Sequence, residues 1–256
     1  MTRRTCIFID LDGTLLNSQS KITEYSLNIL QKAAQQGARI VVSTARSHTL
    51  HGLDKEAIKS FCSTMILQNG AEIWENDQIL HTEYLLPEDV SRIVTEIGGN
   101  HAKIAAIRDN VYYTNYDAET YWGKISGLTQ TDFMHMTCAL PKLMIYNPEM
   151  LQLPNQEKIA QKFCVTVMDS GKTITISSKT ATKGNAIRYL QKLWKIPAQD
   201  CIATGNDHND LSAFEACAVR AAVANAEEAV KKQCTNLIAS NDENGPARFI
   251  ADCLKI

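Results

Sequence analysis

The sequence has no long hydrophobic run and no dominant charge, and both absences exclude classes of protein. The apolar run that follows Met1-Thr2-Arg3-Arg4 is broken at Asp10, which is too early and too acidic for a signal peptide or a membrane-spanning helix. The net charge at pH 7 is only -2, so the chain carries no basic field that would attract nucleic acid or an anionic membrane surface. We therefore expect neither a nucleic-acid partner nor a membrane partner.

The chain also lacks cysteine motifs, internal repeats, low-complexity tracts and linkers rich in Pro, Gly or Ser. Its eight cysteines are scattered singly, without Cys-x-x-Cys spacing, and Cys6, Cys201 and Cys217 lie in apolar segments. Reduced, mostly buried thiols are the favoured interpretation, and they indicate a cytoplasmic protein. No heptad or large apolar stripe is present, so the sequence leaves the oligomeric state unknown.

What is present is the composition of an ordinary globular protein, with 256 residues, 45% of them hydrophobic and 21% charged. Near the start, a strand from Cys6 to Ile9 precedes a helical pattern from Glu24 to Gln36, with Thr23 as N-cap and Gly37 as stop. Ala38 to Val42 is then a second apolar strand. Strand, helix and strand in this order predict a βαβ unit with parallel strands.

The pattern changes between residues 81 and 178. A helix at Pro87 to Ile97, a hairpin around Asp109-Asn110, a strand at Lys142 to Tyr146, a helix at Asn155 to Phe163 and a second hairpin turning at Ser170-Gly171 are expected there. This order predicts an independent α+β layer inserted into the parallel-sheet core.

Two aspartates follow the first strand, where a parallel sheet forms its ligand crevice. Asp10 and Asp12 are separated by one residue, and Gly13-Thr14 then turns the chain. Carboxylates this close repel each other unless a cation lies between them or one takes up a proton. The first solution is typical of a magnesium site and the second of a nucleophile beside a general acid. A solvated junction between strand and turn is the alternative.

Polar residues also follow the other predicted core strands. Because the carboxyl ends of parallel strands share one sheet edge, these residues are expected near Asp10. Each has a local alternative, since a threonine can cap a helix and Asn-Gly forms tight turns. The strand ends are Thr44 after Ala38 to Val42, Asn69-Gly70 after Met65 to Leu67, and Asn206-Asp207-His208-Asn209-Asp210 after Cys201 to Thr204.

Lys183 begins a helical pattern whose apolar face carries Ala186, Ile187 and Leu190. A cation at a helix N-terminus opposes the helix dipole. An anion shared between the lysine and the helix end would make this placement favourable.

These segments, in this order, resemble the four motifs of the haloacid dehalogenase-like hydrolases, most of which are magnesium-dependent phosphatases. The Asn-Gly-Ala that begins at Asn69, followed by an inserted α+β region, is similar to the Cof-like or type IIB subgroup with its α/β cap. The matching motifs are Phe8-Ile9-Asp10-Leu11-Asp12-Gly13-Thr14-Leu15, Ser43-Thr44-Ala45-Arg46, Lys183-Gly184, and Gly205-Asn206-Asp207-His208-Asn209-Asp210.

The resemblance implies a Rossmann-like parallel-sheet core at 1–80 and 179–256, with an α+β cap at 81–178 that closes over the cleft and selects the substrate. It implies Asp10 as nucleophile, Asp12 as general acid and base, and Thr44 and Lys183 as catalytic groups that hold the phosphoryl oxygens. The remaining implied contacts are to phosphate or substrate for Leu11, Thr44, Ala45, Arg46, Asn69, Lys183 and Asn209, and to Mg²⁺ for Asp10, Asp12, Asn206 and Asp210.

The chain departs from the family pattern at two positions. Asn206 stands where the family usually has an aspartate ligand, and an amide oxygen can bind magnesium but brings no charge. Weaker metal binding is therefore expected, and a register in which Asp207 binds the metal directly stays open. Ala45 replaces a glycine, which would matter if that residue needs a positive φ.

The expected reaction is magnesium-dependent hydrolysis of a small phosphomonoester, such as a sugar phosphate or similar metabolite, through an aspartyl-phosphate on Asp10. A phosphomutase on the same core is one alternative. Another is a ligand-binding or regulatory protein whose catalysis is weakened by Asn206. A transport ATPase is excluded by the lack of membrane spans and by Asp12, where pumps carry a threonine.

Overall fold

The computed structural model describes residues 5–146, 149, 152–168 and 172–256. The chain divides into two compact units. The first comprises Met1–Arg46, Leu50–His81 and Thr182–Ile256, and the second comprises Ser47–Thr49 and Thr82–Ala181. Every helix among the described residues is too short or too polar to cross a membrane.

The first unit is built on an eight-stranded sheet. Its strands are β1 Cys6–Ile9, β2 Arg39–Ser43, β3 Thr64–Leu67, β4 Glu72–Glu75, β5 Gln78–Thr82, β12 Cys201–Gly205, β13 Val219–Val223 and β14 Asn236–Ile238. They lie in the order β14-β13-β12-β1-β2-β3-β4-β5. Its helices are α1 Glu24–Gln35, α2 Lys55–Lys59, α6 Lys183–Trp194, α7 Leu211–Ala216, α8 Glu228–Lys231 and α9 Gly245–Leu254.

The six strands from β14 to β3 are parallel, and β4 is antiparallel to β3. Strand β1 lies between β2 and β12, so the order of the chain through the sheet reverses on either side of β1. A ligand crevice forms at such a reversal, at the carboxyl ends of the strands. The predicted Rossmann-like α/β fold is confirmed, with an antiparallel edge added to the parallel core.

Alternating side chains of β1 pack on opposite faces of this sheet, which is why the strand reads as a continuous apolar run. Ile7 and Ile9 face a core formed with α1 and α9. Cys6 and Phe8 face a second core formed with α6 and α7. Both faces of the central strand are therefore dry, and only its carboxyl end can present polar groups.

Local signals placed several element ends close to their predicted positions. The Thr23 side chain accepts a hydrogen bond from Ser26 N and starts α1. Gly37, at a φ of 89°, follows its end. The Asn69-Gly70 turn joins β3 to β4 as a hairpin, which confirms the turn interpretation.

The elements of the second unit are α3 Pro87–Glu96, β6 Lys103–Arg108, β7 Val111–Thr114, α4 Glu119–Trp122, β8 Leu128–Gln130, β9 Lys142–Tyr146, α5 Gln156–Lys162, β10 Phe163–Met168 and β11 Thr173–Ser178. Its six-stranded sheet has the order β10-β11-β9-β6-β7-β8, in which all neighbouring pairs except β7 with β8 are antiparallel. One apolar core includes residues of α3, α5 and this sheet. Asp109 and Asn110, both at positive φ, turn the β6–β7 hairpin as expected.

The α+β character predicted for the inserted segment is therefore present in this unit. The predicted turn at residues 170–171 lies outside the described residues. All eight cysteines are free, as expected; four of them are buried, three are partly buried and Cys253 is exposed.

Candidate active site

A buried ion triad lies at the carboxyl end of β1. Lys183 Nζ donates to Asp10 Oδ1 at 2.7 Å and to Asp210 Oδ1 at 2.6 Å. Asp10 is 6% exposed, and Lys183 and Asp210 are each 1% exposed. One cation between two carboxylates leaves a net negative charge in a dry environment, which is costly unless further positive charge is supplied.

Burial raises the pKa of Asp10 from its ordinary value of 3.8 to about 7, against the opposing effect of Lys183. The neighbouring Asp210 carboxylate also raises the pKa of Asp10. The pKa of Lys183 is raised as well, because the attraction of the two carboxylates exceeds the effect of burial. The lysine is thus held charged, while Asp10 is poised to gain from a second cation.

Lys183 reaches this position because α6 starts at the lysine and packs closely on α7. Thr182 caps α6, its side chain accepting from Asn185 N at 3.1 Å. A Cβ on Gly184 would lie 2.1 Å from the carbonyl oxygen of Ser212, so only glycine allows this approach. The two carboxylates resolve the unfavourable placement of a lysine at a helix N-terminus.

Asp210 anchors the loop after β12 to the same lysine. Its Oδ2 atom accepts from Asn206 N at 2.9 Å and from Asp207 N at 3.1 Å. Both oxygens of Asp210 are therefore engaged within the protein. The assignment of Asp210 as a direct metal ligand stays a prediction, and its visible contacts orient Lys183 and Asn206.

The chain after Asp10 forms a turn that directs the backbone carbonyl of Asp12 toward the Asn206 side chain. Asp12 has φ -72° and ψ 120°, and Gly13 has φ 73° and ψ 3°. These are the angles of the two central residues of a type II β-turn, which requires a positive φ at the second. The type II form fixes the direction of the Asp12 carbonyl, so Gly13 controls where that oxygen points.

The Asn206 side chain meets both aspartates at this point. One terminal atom of its amide lies 3.2 Å from Asp10 Oδ2, 2.9 Å from the Asp12 carbonyl oxygen and 2.9 Å from Thr14 Oγ1. The amide can present either of its ends here. Nδ2 would donate to all three atoms, whereas Oδ1 accepts from Thr14 and faces the two aspartate oxygens.

This donor set fits magnesium. Adjacent ligands of an octahedral Mg²⁺ with bonds of about 2.1 Å are separated by about 3.0 Å. The amide atom of Asn206 is separated from the oxygens of Asp10 and Asp12 by 3.2 and 2.9 Å. Among the described residues no group of three His, Cys, Asp or Glu side chains could hold a metal. A carboxylate, a backbone carbonyl and an amide would thus form a site of low charge.

Asp207 has a different environment. Its carboxylate accepts from His208 N at 2.6 Å and caps the short turn at residues 208–210. The amide of Asn206 faces Asp10, and the geometry therefore favours the register in which Asn206 supplies the ligand.

The Asp12 side chain points to a second cation, Arg46. Arg46 Nε and Nη2 bind the two oxygens of Asp12 at 2.7 and 2.6 Å, and Nη1 donates to the carbonyl oxygen of His51 at 2.7 Å. The bond to Asp12 raises the pKa of Arg46. Sequence reasoning assigned Arg46 to the phosphate and missed this pairing, because the two residues come from separate loops.

The remaining predicted residues lie around the same strand ends. Thr44 is buried, and its hydroxyl accepts from Arg46 N at 3.1 Å. Asn69 accepts from Asn209 Nδ2 at 3.1 Å through its side-chain oxygen, so both are drawn together. Ala45 does not adopt a positive φ, and the exchange of glycine for alanine there is free of strain.

Sequence patterns assigned no role to Asn225, yet it contacts the active-site turn. Asn225 Nδ2 donates to the carbonyl oxygen of Gly13 at 2.8 Å. Its Oδ1 accepts from Asn241 N at 3.0 Å. Asn225 follows β13 by two residues, at the same sheet edge as Asp10, and that position was the signal that could have found it.

Comparisons with known proteins identify the family of this chain. The sequence model of the haloacid dehalogenase-like hydrolase family matches residues 7–250 of this chain. The 5-amino-6-(5-phospho-D-ribitylamino)uracil phosphatase YwtE of Bacillus subtilis is 27% identical, over 97% of this chain and 98% of the relative. Phosphatase YwpJ of the same organism is 25% identical, over 97% and 99% of the two chains.

Solved structures share the fold. TM0651 from Thermotoga maritima superposes with a TM-score of 0.83 at 22% identity, covering 97% of each chain. The subclass IIB sugar phosphatase BT4131 superposes with a TM-score of 0.82 at 16% identity, covering 98% of this chain and all of the other. Strand order, family match and named relatives lead to one conclusion: the chain belongs to the haloacid dehalogenase-like hydrolases, and it is an enzyme of the phosphatase type.

Proposed function

We propose that this enzyme hydrolyses a small phosphomonoester with the aid of Mg²⁺, through an aspartyl-phosphate on Asp10. One observation carries the proposal. The buried Asp10 carboxylate has one oxygen on Lys183 and the other 3.2 Å from the Asn206 amide, which also lies 2.9 Å from the Asp12 carbonyl oxygen. This is a nucleophile fixed in orientation beside a cation-binding set of oxygens.

In the first step, a carboxylate oxygen of Asp10 attacks phosphorus while the bond from phosphorus to the ester oxygen breaks. The leaving oxygen takes a proton from Asp12, acting as general acid. Lys183, the Thr44 hydroxyl and the backbone amides of Leu11 and Ala45 would stabilise the charge on the phosphoryl oxygens.

In the second step, Asp12 takes a proton from a water molecule, which attacks the same phosphorus. The bond to Asp10 breaks, inorganic phosphate leaves and the Asp10 carboxylate is restored. Bound at Asp10, the Asp12 carbonyl and Asn206, Mg²⁺ would supply charge neutralisation for the phosphoryl group and keep Asp10 ionised at neutral pH.

Arg46 has two parts in this proposal. Without substrate, its guanidinium binds both oxygens of Asp12 through two parallel hydrogen bonds. A phosphoryl group that draws Arg46 toward itself would weaken this pair and leave the Asp12 oxygens accessible to the leaving group. Substrate binding and the preparation of the general acid would be coupled through one side chain.

The names of the relatives and the presence of the second unit support this substrate class. YwtE is named for a phosphorylated ribitylaminouracil and BT4131 for sugar phosphates, which are both small phosphomonoesters. We propose that residues 81–178 form the substrate-selecting cap domain and that residues 1–80 and 179–256 form the catalytic core. Asn69 and Asn209 would contribute to substrate binding at the core.

Asp10→Asn is the direct test. The amide keeps the shape of the side chain but is a poor nucleophile, so the turnover of a phosphate ester such as p-nitrophenyl phosphate should fall at least about a thousandfold. Asp54→Asn makes the same chemical change at the N-cap of α2, where Asn also caps, and should keep full turnover. Appreciable turnover of Asp10→Asn would refute the nucleophile assignment.

Trapping the intermediate gives a second measurement. Acid quenching after mixing with a radiolabelled phosphate ester should leave label on the wild-type protein and none on Asp10→Asn. Label that stays on the protein and returns to isomerised product, with no free phosphate, would favour a phosphomutase instead.

The uncharged ligand Asn206 favours one other function, that of a binding or regulatory protein without turnover. Thermal stabilisation by phosphate esters together with no hydrolysis at ample Mg²⁺ would support it.

A further inference from the structure

The turn that presents the Asp12 carbonyl is held from outside by two asparagines on the C-terminal part of the chain. Asn225 Nδ2 donates to the carbonyl oxygen of Gly13 at 2.8 Å. Asn241 Nδ2 donates to the carbonyl oxygen of Leu16 at 2.9 Å. The first contact is on the second central residue of the turn, and the second contact is two residues beyond the end of the turn.

The two asparagines are also joined to each other. Asn225 Oδ1 accepts from the backbone N–H of Asn241 at 3.0 Å. A backbone N–H can only donate and a carbonyl can only accept, so the orientation of the Asn225 amide is fixed at both ends. Asn225 thereby connects residue 13 to residue 241.

The position of the Gly13 carbonyl bears directly on the Asp12 carbonyl. In a type II turn the peptide between the two central residues can rotate toward the type I arrangement, which reverses the direction of its carbonyl. That peptide joins Asp12 to Gly13. That rotation changes ψ of Asp12 and φ of Gly13 and leaves the Gly13 carbonyl close to its place. A hydrogen bond on the Gly13 carbonyl therefore fixes where the turn lies, while the positive φ of Gly13 sets the direction of the Asp12 carbonyl.

The 240–244 loop is itself tied to the first part of the chain. Ser18 N and Ser18 Oγ donate to the two oxygens of Asp242 at 2.8 and 2.6 Å. Thr23 Oγ1 donates to Asn244 Oδ1 at 2.5 Å. These bonds lie beyond the turn, so they hold the loop without touching the peptides that face the cation site.

We infer that Asn225 and Asn241 are positioning residues that hold the loop from Gly13 to Leu16 in the place from which the Asp12 carbonyl reaches the Mg²⁺ site. The inference rests on the proposed function, since it assigns these residues to the metal that the phosphatase would use. Neither asparagine touches the site oxygens themselves. Their effect is to make the carbonyl ligand available before the metal arrives.

Asn225→Ala is the main test. Asn225 is exposed, and the variant removes both amide contacts without adding charge. Loss of the hydrogen bond to the Gly13 carbonyl should raise the Mg²⁺ concentration for half-maximal hydrolysis of p-nitrophenyl phosphate about fivefold. The rate at saturating Mg²⁺ should stay within about twofold, because Asp10 and Lys183 are unchanged. Without substrate, the Mg²⁺ concentration that half-maximally stabilises the protein against heat should rise by the same factor.

Asn225→Asp gives an independent reading of the same contact. Its carboxylate still accepts from Asn241 N but cannot donate to the carbonyl of Gly13. Added negative charge near the site would by itself tighten Mg²⁺ binding, so weaker binding in this variant identifies the lost bond to Gly13.

Ser18→Ala is the matched control, because it also removes one hydrogen bond to the 240–244 loop. It should leave both Mg²⁺ readouts unchanged. Asn225 variants that lose heat stability but keep the wild-type Mg²⁺ requirement would overturn the inference and leave the phosphatase proposal intact. A wild-type protein that hydrolyses phosphate esters without any response to Mg²⁺, in activity or in heat stability, would also overturn the inference, because there would be no bound Mg²⁺ for the Asp12 carbonyl to hold.

Discussion

Replacing Asn206 by aspartate should destabilise the metal-free protein and strengthen its binding of Mg²⁺. In the metal-free protein, Asn206→Asp brings a carboxylate oxygen to about the place of an amide atom that lies 3.2 Å from Asp10 Oδ2. At an effective dielectric constant of about 20, two unit charges at that separation repel by about 5 kcal/mol. Relaxation and proton uptake reduce this value, so we expect a loss of a few kcal/mol in unfolding free energy at pH 8.

With Mg²⁺ the additional charge becomes favourable, because a carboxylate binds a hard cation more strongly than an amide does. The Mg²⁺ concentration for half-maximal activity should fall about tenfold or more. The assay is thermal unfolding at pH 8, first in a chelator and then across a Mg²⁺ titration, accompanied by activity at each concentration. The variant should start below the wild type in melting temperature and gain more from the metal.

Asp207→Asn is the control that decides the register of this loop. Asp207 caps the turn at residues 208–210, and an asparagine there also caps. The Mg²⁺ requirement should therefore stay within about twofold of the wild type. The reasoning is refuted if Asn206→Asp leaves both the metal-free stability and the Mg²⁺ requirement unchanged, or if Asp207→Asn is the variant that loses metal binding.

Three further predictions concern the same site. Lys183→Met leaves Asp10 and Asp210 buried without their cation, so the unfolding free energy from urea titration should fall by about 3–5 kcal/mol at pH 8, and by less at pH 5, where a carboxylate can take up a proton; an equal loss at both pH values would contradict this. Gly13→Ala places a Cβ 2.6 Å from Asn206 Nδ2 on a residue at φ 73°, so Mg²⁺-dependent stabilisation should be lost together with turnover, and wild-type Mg²⁺ binding would exclude the turn model. The pKa of Asp10 is raised from 3.8 to about 7, so the metal-free folded state binds this proton more tightly than the unfolded state does. Chelator-treated protein should therefore lose unfolding free energy as the pH rises from about 4 through 7, and Asp10→Asn should remove this pH dependence.

The sequence was sufficient to place the strand ends, because β1, β2 and β12 are short apolar runs that each stop at a polar residue. Parallel pairing then brings Asp10, Thr44 and the Asn206 loop to one edge by geometry alone. The helix starting at Lys183 was likewise predictable, since its apolar spacing and its first residue are local features. These interpretations needed only periodicity and the shared direction of parallel strands.

Contacts that depend on loop conformation could not be predicted in this way. The pairing of Arg46 with Asp12 requires two separate loops to bring a guanidinium and a carboxylate face to face. The hydrogen bond from Asn225 to Gly13 spans 212 positions; the place of Asn225 after β13 puts it at the right sheet edge, but no sequence pattern pairs the two residues. The Asn206 amide faces the Asp12 carbonyl because the loop after Asp10 forms a type II turn. No sequence pattern specifies the ψ angle of Asp12 that this turn requires.

The place of β1 in the sheet has a consequence for synthesis on the ribosome. Its partner β2 ends at Ser43, but its other neighbour, β12, begins only at Cys201. Through the production of more than 150 intervening residues, one side of the most apolar strand has unpaired backbone groups. Nascent chains halted before Cys201 should therefore be the forms most prone to aggregate and most dependent on chaperones.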